Sequence, residues 1–423
     1  MTAVGEDQAL APAMETLRMM TRRTLAYART GTVPLAGDVA EVPAEHYHDP
    51  ARWRLEMDRV FRRMPLVLGF SAELRDRNRY KAMDVAGVPV LLIRGADGEL
   101  RSFVNSCSHR GAVVMEEGSG KARRFTCPYH AWSYNGQGEL VGIFDRAEFG
   151  PIDPACHGLT PLGVAERAGI VFGGIDPSPD AVADFDATVD AALCGYDEVL
   201  ATLGLDGCYY LNSQSVTGPN WKVAYDGYLD FYHLPILHKN TFGPDYNNKA
   251  IYDAWGPHQR VSAPDERILV LDDKPEDSWS VEAMTSGIWT VFPHVSIARF
   301  KVTEGDGSGG GQMFMVSTLY PGEDPGSSIT HQHFLAAFEP LPSILPQIEA
   351  QQAFLMGVVR DEDYATGIGL QRALATGAKQ SVLFGRNEGG GQRFHGWVDR
   401  LVAAETEEDL RRVLAGAEVA LQP

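Results

Sequence analysis

Two cysteines and two histidines, arranged as two short motifs, constrain this chain more than any other feature of its sequence. The motifs are Cys107-x-His109 and Cys127-x-x-His130, and seventeen residues separate them. Each motif supplies one thiolate and one imidazole, which suits a two-iron, two-sulfur cluster in which histidines replace cysteines on one iron. Such ligation raises the reduction potential to roughly −150 to +300 mV. The sequence therefore predicts an electron carrier.

A zinc site is the alternative, because two cysteines and two histidines also satisfy tetrahedral Zn²⁺. In zinc sites of this composition the cysteines are usually paired at one end and the histidines at the other, whereas here each motif is mixed. Residues 106–111 and 127–132 are typical of two tight loops at strand ends, between whose tips a cluster would lie. The spacing favours the iron–sulfur cluster over zinc.

Composition is that of an ordinary globular protein, since 44% of the 423 residues are hydrophobic and 22% are charged. This length suffices for two domains. The net charge of −19 argues against nucleic acid or an anionic membrane as the main partner, because both attract positive charge. No stretch approaches the roughly 20 apolar residues of a membrane span, and no signal-peptide pattern opens the chain. We therefore expect a cytoplasmic protein.

The character of the sequence changes along the chain and predicts three segments. Residues 1–47 form an N-terminal helical arm, with apolar positions at helical spacing. Residues 48–176 contain short β-like runs separated by turns, which predict a small all-β domain that carries the cluster. The Pro-rich stretch 176–180 marks a boundary, and residues 177–423 combine helices with strands. The predicted fold class is α+β.

A second group of candidate metal ligands lies in residues 220–238, a segment with helical character. It carries His233 and His238, which an ideal helix would place about 140° apart. Pro235 interrupts such a helix, and the resulting kink would bring both imidazoles to one metal. Asp230 lies three residues before His233, where its carboxylate can accept a hydrogen bond from the ring nitrogen that does not bind metal.

A carboxylate would complete the triad that holds non-haem Fe(II) with open positions for oxygen and substrate. The best candidate is Asp363, in a helical stretch over about residues 345–374. Asp361 and Glu362 compete with it, and an acidic trio in a helix is also typical of a solvated face. The first site favours a metal here, because a one-electron carrier requires an acceptor. We interpret the remaining core candidates as structural histidines: His294, His331, His333 and His395.

Both sites, in this order and spacing, resemble those of the catalytic α subunits of Rieske non-haem iron oxygenases, a family of aromatic ring-hydroxylating dioxygenases and related monooxygenases. The likeness runs from about His48 to Trp397 and includes the Arg-Gly and Trp-x-Tyr that follow the two cluster histidines. Ala131 stands where many members have Gly. Asp226-Gly227 stands where many members have Glu-Asn, and the ligands themselves are intact.

The resemblance implies a Rieske [2Fe-2S] domain followed by a START-like helix-grip domain, in which an antiparallel sheet wraps a long C-terminal helix. The cluster would bind the four motif residues. A catalytic Fe(II) would bind His233, His238 and Asp363. Asp230 matches the carboxylate that links a Rieske histidine, here His130, to an iron ligand across a subunit boundary, so the resemblance implies a homotrimer.

The same resemblance implies a terminal oxygenase that uses O₂ to hydroxylate or dihydroxylate an apolar or aromatic small molecule, as in aromatic hydrocarbon catabolism. Oxidative demethylation by a Rieske monooxygenase is one alternative. A Rieske electron-transfer protein with a START-like binding module and no catalytic iron is another. The motifs do not decide the substrate, the regiochemistry or the need for a β subunit.

Electrons would come from a separate NAD(P)H-dependent reductase, directly or through a ferredoxin, because the sequence shows no Gly-x-Gly-x-x-Gly that joins a predicted strand to a predicted helix and no third group of clustered cysteines. Positive charge at Arg110 and in residues 121–124 lies beside the cluster loops. It would steer an acidic ferredoxin to the cluster, and a solvated turn explains the same residues equally well.

Overall fold

A computed structural model describes residues 10–305, 307 and 309–421. The chain divides into two compact units, of which one comprises Phe61–Asp190. The other comprises the residues up to Val60 together with those from Ala191 onward. The predicted segment boundaries at residues 48 and 177 rest on the sequence alone.

The α-helices of the described residues span Ala11–Thr30, Pro50–Glu56, Arg146–Phe149, Pro179–Ala183, Phe185–Leu193, Tyr196–Leu200, Trp221–Asp226, Leu234–Leu237, Val281–Met284, Leu345–Gly357, Ala365–Leu374, Gly389–Ala403 and Glu407–Ala415. Two stretches are π-helical: Met57–Phe61 and Val358–Tyr364. The strands are β1 Ala40–Pro43, β2 Leu66–Phe70, β3 Arg79–Val85, β4 Val88–Arg94, β5 Leu100–Val104, β6 Gly118–Lys121, β7 Arg124–Thr126, β8 Ser133–Asn135, β9 Leu140–Gly142, β10 Pro161–Leu162, β11 Val164–Arg167, β12 Ile170–Gly173, β13 Tyr209–Gly218, β14 Ile251–Trp255, β15 His258–Ser262, β16 Ile288–Val291, β17 Val295–Val302, β18 Gly311–Pro321, β19 Ser328–Ala336, β20 Ser381–Phe384 and β21 Val419–Leu421.

The smaller unit is built from antiparallel sheets. Five strands pair in the order β10-β5-β4-β3-β6, three in the order β11-β12-β2, and three in the order β7-β8-β9. One cluster loop follows β5 and the other joins β7 to β8. Both loops enter one hydrophobic core, in which Phe103, Phe125 and Trp132 pack with the two motif cysteines. The prediction of a small β domain is confirmed.

The larger unit contains an eight-stranded antiparallel sheet in the order β13-β19-β18-β17-β16-β15-β14-β21. The helical stretch 345–374 packs on one face of it, with Ile348 and Leu355 against Met313 and Phe334. Proline in its first turn supplies the preset backbone angle of a helix start. The predicted helix-grip arrangement and the predicted α+β class are confirmed.

Within the predicted N-terminal arm, a helix spans Ala11–Thr30 and ends at Gly31, whose positive φ of 64° terminates it. Arg23 of this helix pairs with the buried Asp253 of β14, and Arg22 pairs with Glu276 at 2.5 Å. The first nine residues of the predicted arm lie outside the described residues. Across the described ranges, no helix has the length and apolar character needed to cross a membrane.

Residues 220–238 do not form the single kinked helix that the sequence predicts. A first helix ends at Asp226, and a second, Leu234–Leu237, begins after an irregular turn. Pro235 lies in the first turn of the second helix, where its missing N–H costs no hydrogen bond. The prediction of a Pro235 kink is wrong, because the proline begins a helix and the break comes before it.

Candidate metal centres and substrate pocket

The two candidate cluster loops repeat one backbone geometry. In the first, the N–H of Gly111 donates to the carbonyl of Cys107 at 2.8 Å, and in the second the N–H of Ala131 donates to that of Cys127 at 3.0 Å. Gly111 and Ala131 both have positive φ, 79° and 57°. Glycine adopts this conformation more readily than alanine, but the small Ala131 keeps the same turn.

The side chains of both loops lie close together. Cys107 and Cys127 are buried in one core, and the rings of His109 and His130 are 4.7 Å apart between centroids. His109 Nδ1 is buried and has no hydrogen-bond partner among the described residues. A buried polar atom normally has a partner. The residues therefore fit a cluster with mixed cysteine and histidine ligands.

Tyr134 contacts the first loop directly. Its hydroxyl accepts from the backbone N–H of Ser108 at 3.0 Å and lies 3.2 Å from Cys107 Sγ. Burial and the hydrogen bond with Cys107 raise the pKa of Tyr134 to about 12, so the hydroxyl keeps its proton for donation. The sequence pattern contained Tyr134 only as part of a motif, and its contact with the sulfur depends on the fold.

The second candidate centre combines two histidines with one carboxylate. Asp363 Oδ1 lies 3.1 Å from His238 Nε2 and 3.8 Å from His233 Nε2. One ligand atom from each residue lies within 4.8 Å of the other two. Two imidazoles and a carboxylate at this spacing fit the triad that binds non-haem Fe(II) and leaves positions open.

Each histidine of the triad has a further carboxylate on its other nitrogen. The carboxylate oxygens of Asp230 lie 3.0 and 3.1 Å from His233 Nδ1, and Glu362 Oε2 lies 2.5 Å from His238 Nδ1. Thr241 donates to the second oxygen of Glu362. Both carboxylates hold the proton on Nδ1, which leaves the lone pair of Nε2 on each ring available to a metal ion.

The three adjacent acids of the long helix, Asp361, Glu362 and Asp363, make different contacts. Asp361 is 59% exposed and pairs with Arg360 at 2.7 Å, as on a solvated face. Glu362, which the sequence offered as a competing ligand, contacts Nδ1 of His238, whereas Asp363 contacts Nε2 of the same ring. Asp363 alone of the three joins both histidines in one compact group. The structure therefore separates three adjacent acids that the sequence offered as competing ligands.

The local shape of the helix explains how two adjacent acids reach one histidine. Between Leu345–Gly357 and Ala365–Leu374 the helix widens into the π-helical stretch Val358–Tyr364. Such π segments are wider turns within an α-helix and occur frequently at functional sites. The wider turn directs consecutive carboxylates toward the same imidazole.

Electrostatics favours a cation at this centre. Burial disfavours the charged form of His238, but the carboxylates of Asp363 and Glu362 outweigh burial and raise the pKa of His238. Burial also opposes the charged form of Glu362, but its bonds to His238 and Thr241 prevail and lower its pKa. Ionised carboxylates around two imidazoles stabilise positive charge, whether it is carried by a proton or by a metal ion.

The helix before this centre is anchored by a buried acid that sequence reasoning missed. Glu56 accepts hydrogen bonds from Trp221 Nε1 at 2.9 Å and from Lys222 Nζ. All three side chains are fully buried. Asn220 caps the helix by accepting from the backbone N–H of Lys222 at 2.9 Å. The Asn-Trp-Lys sequence therefore fixes where the helix begins.

A cavity of about 310 Å³ adjoins the triad. Ser296, Ala298 and Phe300, which alternate along β17, line it together with Arg299 of the same strand. Met315 of β18 and Leu355 of the long helix add apolar surface. Such an apolar cavity beside a few polar groups is typical of small-molecule sites.

Aromatic rings lie at the histidine end of this cavity, contributed by Phe231, Phe242 and Tyr246. The Phe242 ring lies 5.2 Å from that of His238 and 5.6 Å from that of Tyr246, measured between centroids. At the rim, Arg267 is engaged by Asp265 through two hydrogen bonds of 3.0 and 2.7 Å. The cavity is therefore mainly apolar and aromatic.

His294 and His333 have the contacts of histidines that stabilise the fold. His294 is buried against Tyr320, with ring centroids 4.8 Å apart, and burial lowers the pKa of His294 to about 3. His333 bonds through both ring nitrogens, to Tyr210 at 3.1 Å and to Thr318 at 3.2 Å. Neither histidine lines the cavity beside the triad.

Comparison with known proteins identifies the class. A family model described as the Rieske [2Fe-2S] domain matches residues 64–149, and one described as the ring hydroxylating alpha subunit catalytic domain matches residues 205–404. The structure superposes on naphthalene 1,2-dioxygenase from Rhodococcus sp. with a TM-score of 0.69 and 20% identity, covering 92% of this chain and 98% of that one. It superposes on the quaternary ammonium Rieske monooxygenase CntA with a TM-score of 0.69 and 23% identity, covering 86% and 96%.

Proteins of similar sequence include a monooxygenase and a dioxygenase subunit. Choline monooxygenase of Beta vulgaris is 30% identical over 62% of this chain and 57% of its own length. Anthranilate 1,2-dioxygenase large subunit of Acinetobacter baylyi is 29% identical over 57% of this chain and 51% of its own. The chain thus spans about half the length of the curated relatives it matches.

The fold, the ligand geometry and both domain matches together define the class. The chain belongs to the family of Rieske oxygenase α subunits. It carries a Rieske [2Fe-2S] domain and a ring-hydroxylating catalytic domain of the kind that holds a mononuclear iron.

Proposed function

We propose that this chain is a terminal oxygenase that uses O₂ and externally supplied electrons to hydroxylate or dihydroxylate an apolar or aromatic small molecule. The observation that carries the proposal is the convergence of His233, His238 and Asp363 on an apolar cavity. When bound to such a triad, Fe(II) supplies oxygen activation beside the substrate.

The chain's own residues would prepare that chemistry. Asp230 and Glu362 keep the Nδ1 proton on each histidine and so present Nε2 to the metal. Phe300, Met315 and Leu355 offer apolar surface that displaces water and orients a substrate. The protein thus contributes position and a dry cavity, and the metal contributes reactivity.

Oxidative demethylation of a quaternary ammonium compound is the second candidate function. Relatives include choline monooxygenase and the glycine betaine monooxygenase oxygenase subunit of Chromohalobacter salexigens, the latter 30% identical over 47% of this chain and 43% of its own length. The rings of Phe231, Phe242 and Tyr246 favour this candidate, because aromatic faces attract an alkylammonium cation.

Electron supply is part of the proposal. A ferredoxin or a reductase would reduce the cluster, and Arg123 and Arg124 add exposed positive charge near it. Lys121 contributes less, because it pairs with Asp76 at 3.0 Å. We also propose a cytoplasmic homotrimer in which Asp230 links the His130 of a neighbouring chain to His233 and so provides the path of the electron between the two centres.

The domain boundaries and ligand roles belong to the same proposal. Residues 1–47 would form the arm, 48–176 the Rieske domain and 177–423 the catalytic domain. The cluster would bind to the cysteine and histidine motifs of the two loops, and Fe(II) to the triad.

Replacing Asp363 or His233 by alanine tests the proposal. We expect the mononuclear iron and product formation to be lost while the Rieske absorption spectrum is unchanged, because the two centres use different residues. Asp361→Ala is the matched control, since it removes a solvent-exposed acid from the same helix. Iron analysis and product mass spectrometry, with aromatic acids, hydrocarbons and N-methylated amines as substrates, measure both outcomes.

Turnover that survives in both Asp363→Ala and His233→Ala would contradict the assignment. Wild-type protein that contains only the cluster iron and shows no substrate-dependent oxygen uptake would instead support an electron carrier with a binding module. Formaldehyde release from an N-methylated amine would select demethylation over ring hydroxylation.

A further inference from the structure

A group of three residues, two of them buried, holds the segment that leads into the triad. Asp226, the last residue of its helix, accepts a hydrogen bond on each carboxylate oxygen. Tyr47 donates to Oδ2 at 3.0 Å, and His395 Nε2 donates to Oδ1 at 2.9 Å. Tyr47 and His395 are 1% and 3% exposed. The donors of both bonds are therefore shielded from water, whereas the Asp226 carboxylate is 20% exposed.

The helix that carries His395 touches the same segment at a second point. A Cβ atom at Gly390 would lie 2.5 Å from the carbonyl oxygen of Leu229 and 2.6 Å from a ring carbon of Tyr252. Only glycine permits this close approach without displacement of the backbone. Leu229 directly precedes Asp230, whose carboxylate contacts His233 Nδ1.

We propose that Asp226 is a positioning residue. With Tyr47 and His395 it holds residues 226–230 so that Asp230 keeps His233 in the orientation that binds metal. The inference rests on the proposed function, because it requires a metal on His233.

Two contacts from one helix support this role. The first holds Asp226 through His395, and the second lies at Leu229, so both ends of the segment before Asp230 are fixed against the same rigid element. A ligand orientation that depends on its supporting residues is sensitive to small shifts in them. Movement at either contact would rotate the carboxylate away from His233.

Metal affinity separates this role from a purely structural one. The full-length, cluster-loaded protein is stripped of mononuclear metal with a chelator, and Co(II) binding is measured by equilibrium dialysis. Tyr47→Phe removes only the hydroxyl, and Gly390→Ala adds the obstructing methyl group. We expect both to weaken Co(II) binding about three- to tenfold, less than the 10- to 100-fold typical when a residue that bonds a ligand directly is lost.

Two matched variants control for lost stability. Tyr196→Phe removes an equally buried hydroxyl, which donates to the carbonyl of Gln259 at 3.0 Å. Gly396→Ala adds a methyl group to the same helix as Gly390, with no atom within 4 Å of the new Cβ. Both should bind Co(II) as the wild type does.

The outcomes are distinct. Unchanged Co(II) affinity in both Tyr47→Phe and Gly390→Ala, with binding abolished in Asp363→Ala, overturns the inference alone. An equal loss in Tyr196→Phe also overturns it, because the effect would then be general destabilisation. If Asp363→Ala binds Co(II) as tightly as the wild type, the metal site and the proposed function fail, and the inference fails with them.

Discussion

Single residues in this chain act through the atoms they present to a candidate metal ligand. Tyr134 approaches Cys107 Sγ to 3.2 Å, and Glu362 and Asp230 each contact a histidine nitrogen. None of these contacts is short-range in sequence except that of Asp230. Only Asp230 lies close enough to its histidine for spacing alone to suggest the pair.

Removing the Tyr134 hydroxyl should lower the reduction potential of the cluster. The reduced cluster carries more negative charge on sulfur, so a donor to Cys107 stabilises the reduced state more. A hydrogen bond to a charged acceptor contributes about 1.5–3 kcal/mol, but only the part that differs between the oxidised and reduced cluster shifts the potential. A difference of about 1.4 kcal/mol is tenfold in the equilibrium constant and about 59 mV for a one-electron couple. We therefore expect Tyr134→Phe to lower the potential by up to about 60 mV.

A redox titration followed by electron paramagnetic resonance of the reduced cluster measures this shift. Tyr80→Phe is the control, because Tyr80 packs edge-on against Phe125 in the same core, 5.6 Å between ring centroids. An unchanged potential in Tyr134→Phe would show that the hydroxyl does not bond the cluster sulfur.

At the scale of elements, the long helix shows what periodicity captures and what it misses. Its extent over residues 345–374 was predictable from helical spacing. The π-helical stretch Val358–Tyr364 was not, because one wider turn changes few apolar positions. Pro235 illustrates the same limit, since a proline signals a helix boundary without showing on which side the helix lies.

Deleting Arg360 tests whether the π turn places the carboxylates. Removal of one residue converts the wider turn to an ordinary α turn, so that Glu362 and Asp363 would no longer project from a widened turn. We expect loss of the mononuclear iron with unchanged helical circular dichroism and an unchanged Rieske spectrum. Arg360→Ala is the control, because Arg360 is 59% exposed. Full iron content after the deletion would refute this role for the turn.

Across the whole molecule, buried polar groups link distant segments of the larger unit. His258 shows this: its Nε2 donates to the carbonyl of Ala192 at 2.8 Å, and its Nδ1 accepts from the N–H of Phe292 at 3.0 Å. Protonation of the ring would place a proton on Nδ1, which would then face the N–H donor of Phe292. Burial lowers the pKa of His258 to about 4, so the folded protein keeps this ring neutral.

This neutral histidine predicts acid sensitivity of the fold. Unfolded histidine titrates near pH 6.5, so between pH 6.5 and about 4 the unfolded chain binds the extra proton. The stability contribution is complete above pH 6.5 and is lost as the pH falls toward 4, by about 1.4 kcal/mol per pH unit. Urea unfolding at pH 7 and pH 5 should show a smaller loss in His258→Gln than in the wild type. Equal losses would exclude His258 as a source of the acid sensitivity.

Local patterns in the sequence were sufficient to predict the α+β class, because apolar positions recur at the periods of helices and strands. They were also sufficient to predict an iron–sulfur cluster with mixed cysteine and histidine ligands and the candidate iron ligands, because ligands on a short loop or helix lie at characteristic separations. They favoured Asp363 as the ligand but gave no separate roles to Asp361 and Glu362. Nor could they relate His395 and Tyr47 to Asp226, since these residues come from three remote parts of the chain. Their contacts arise from packing between segments, as does the shape of the cavity, and neither leaves a periodic signal in the sequence.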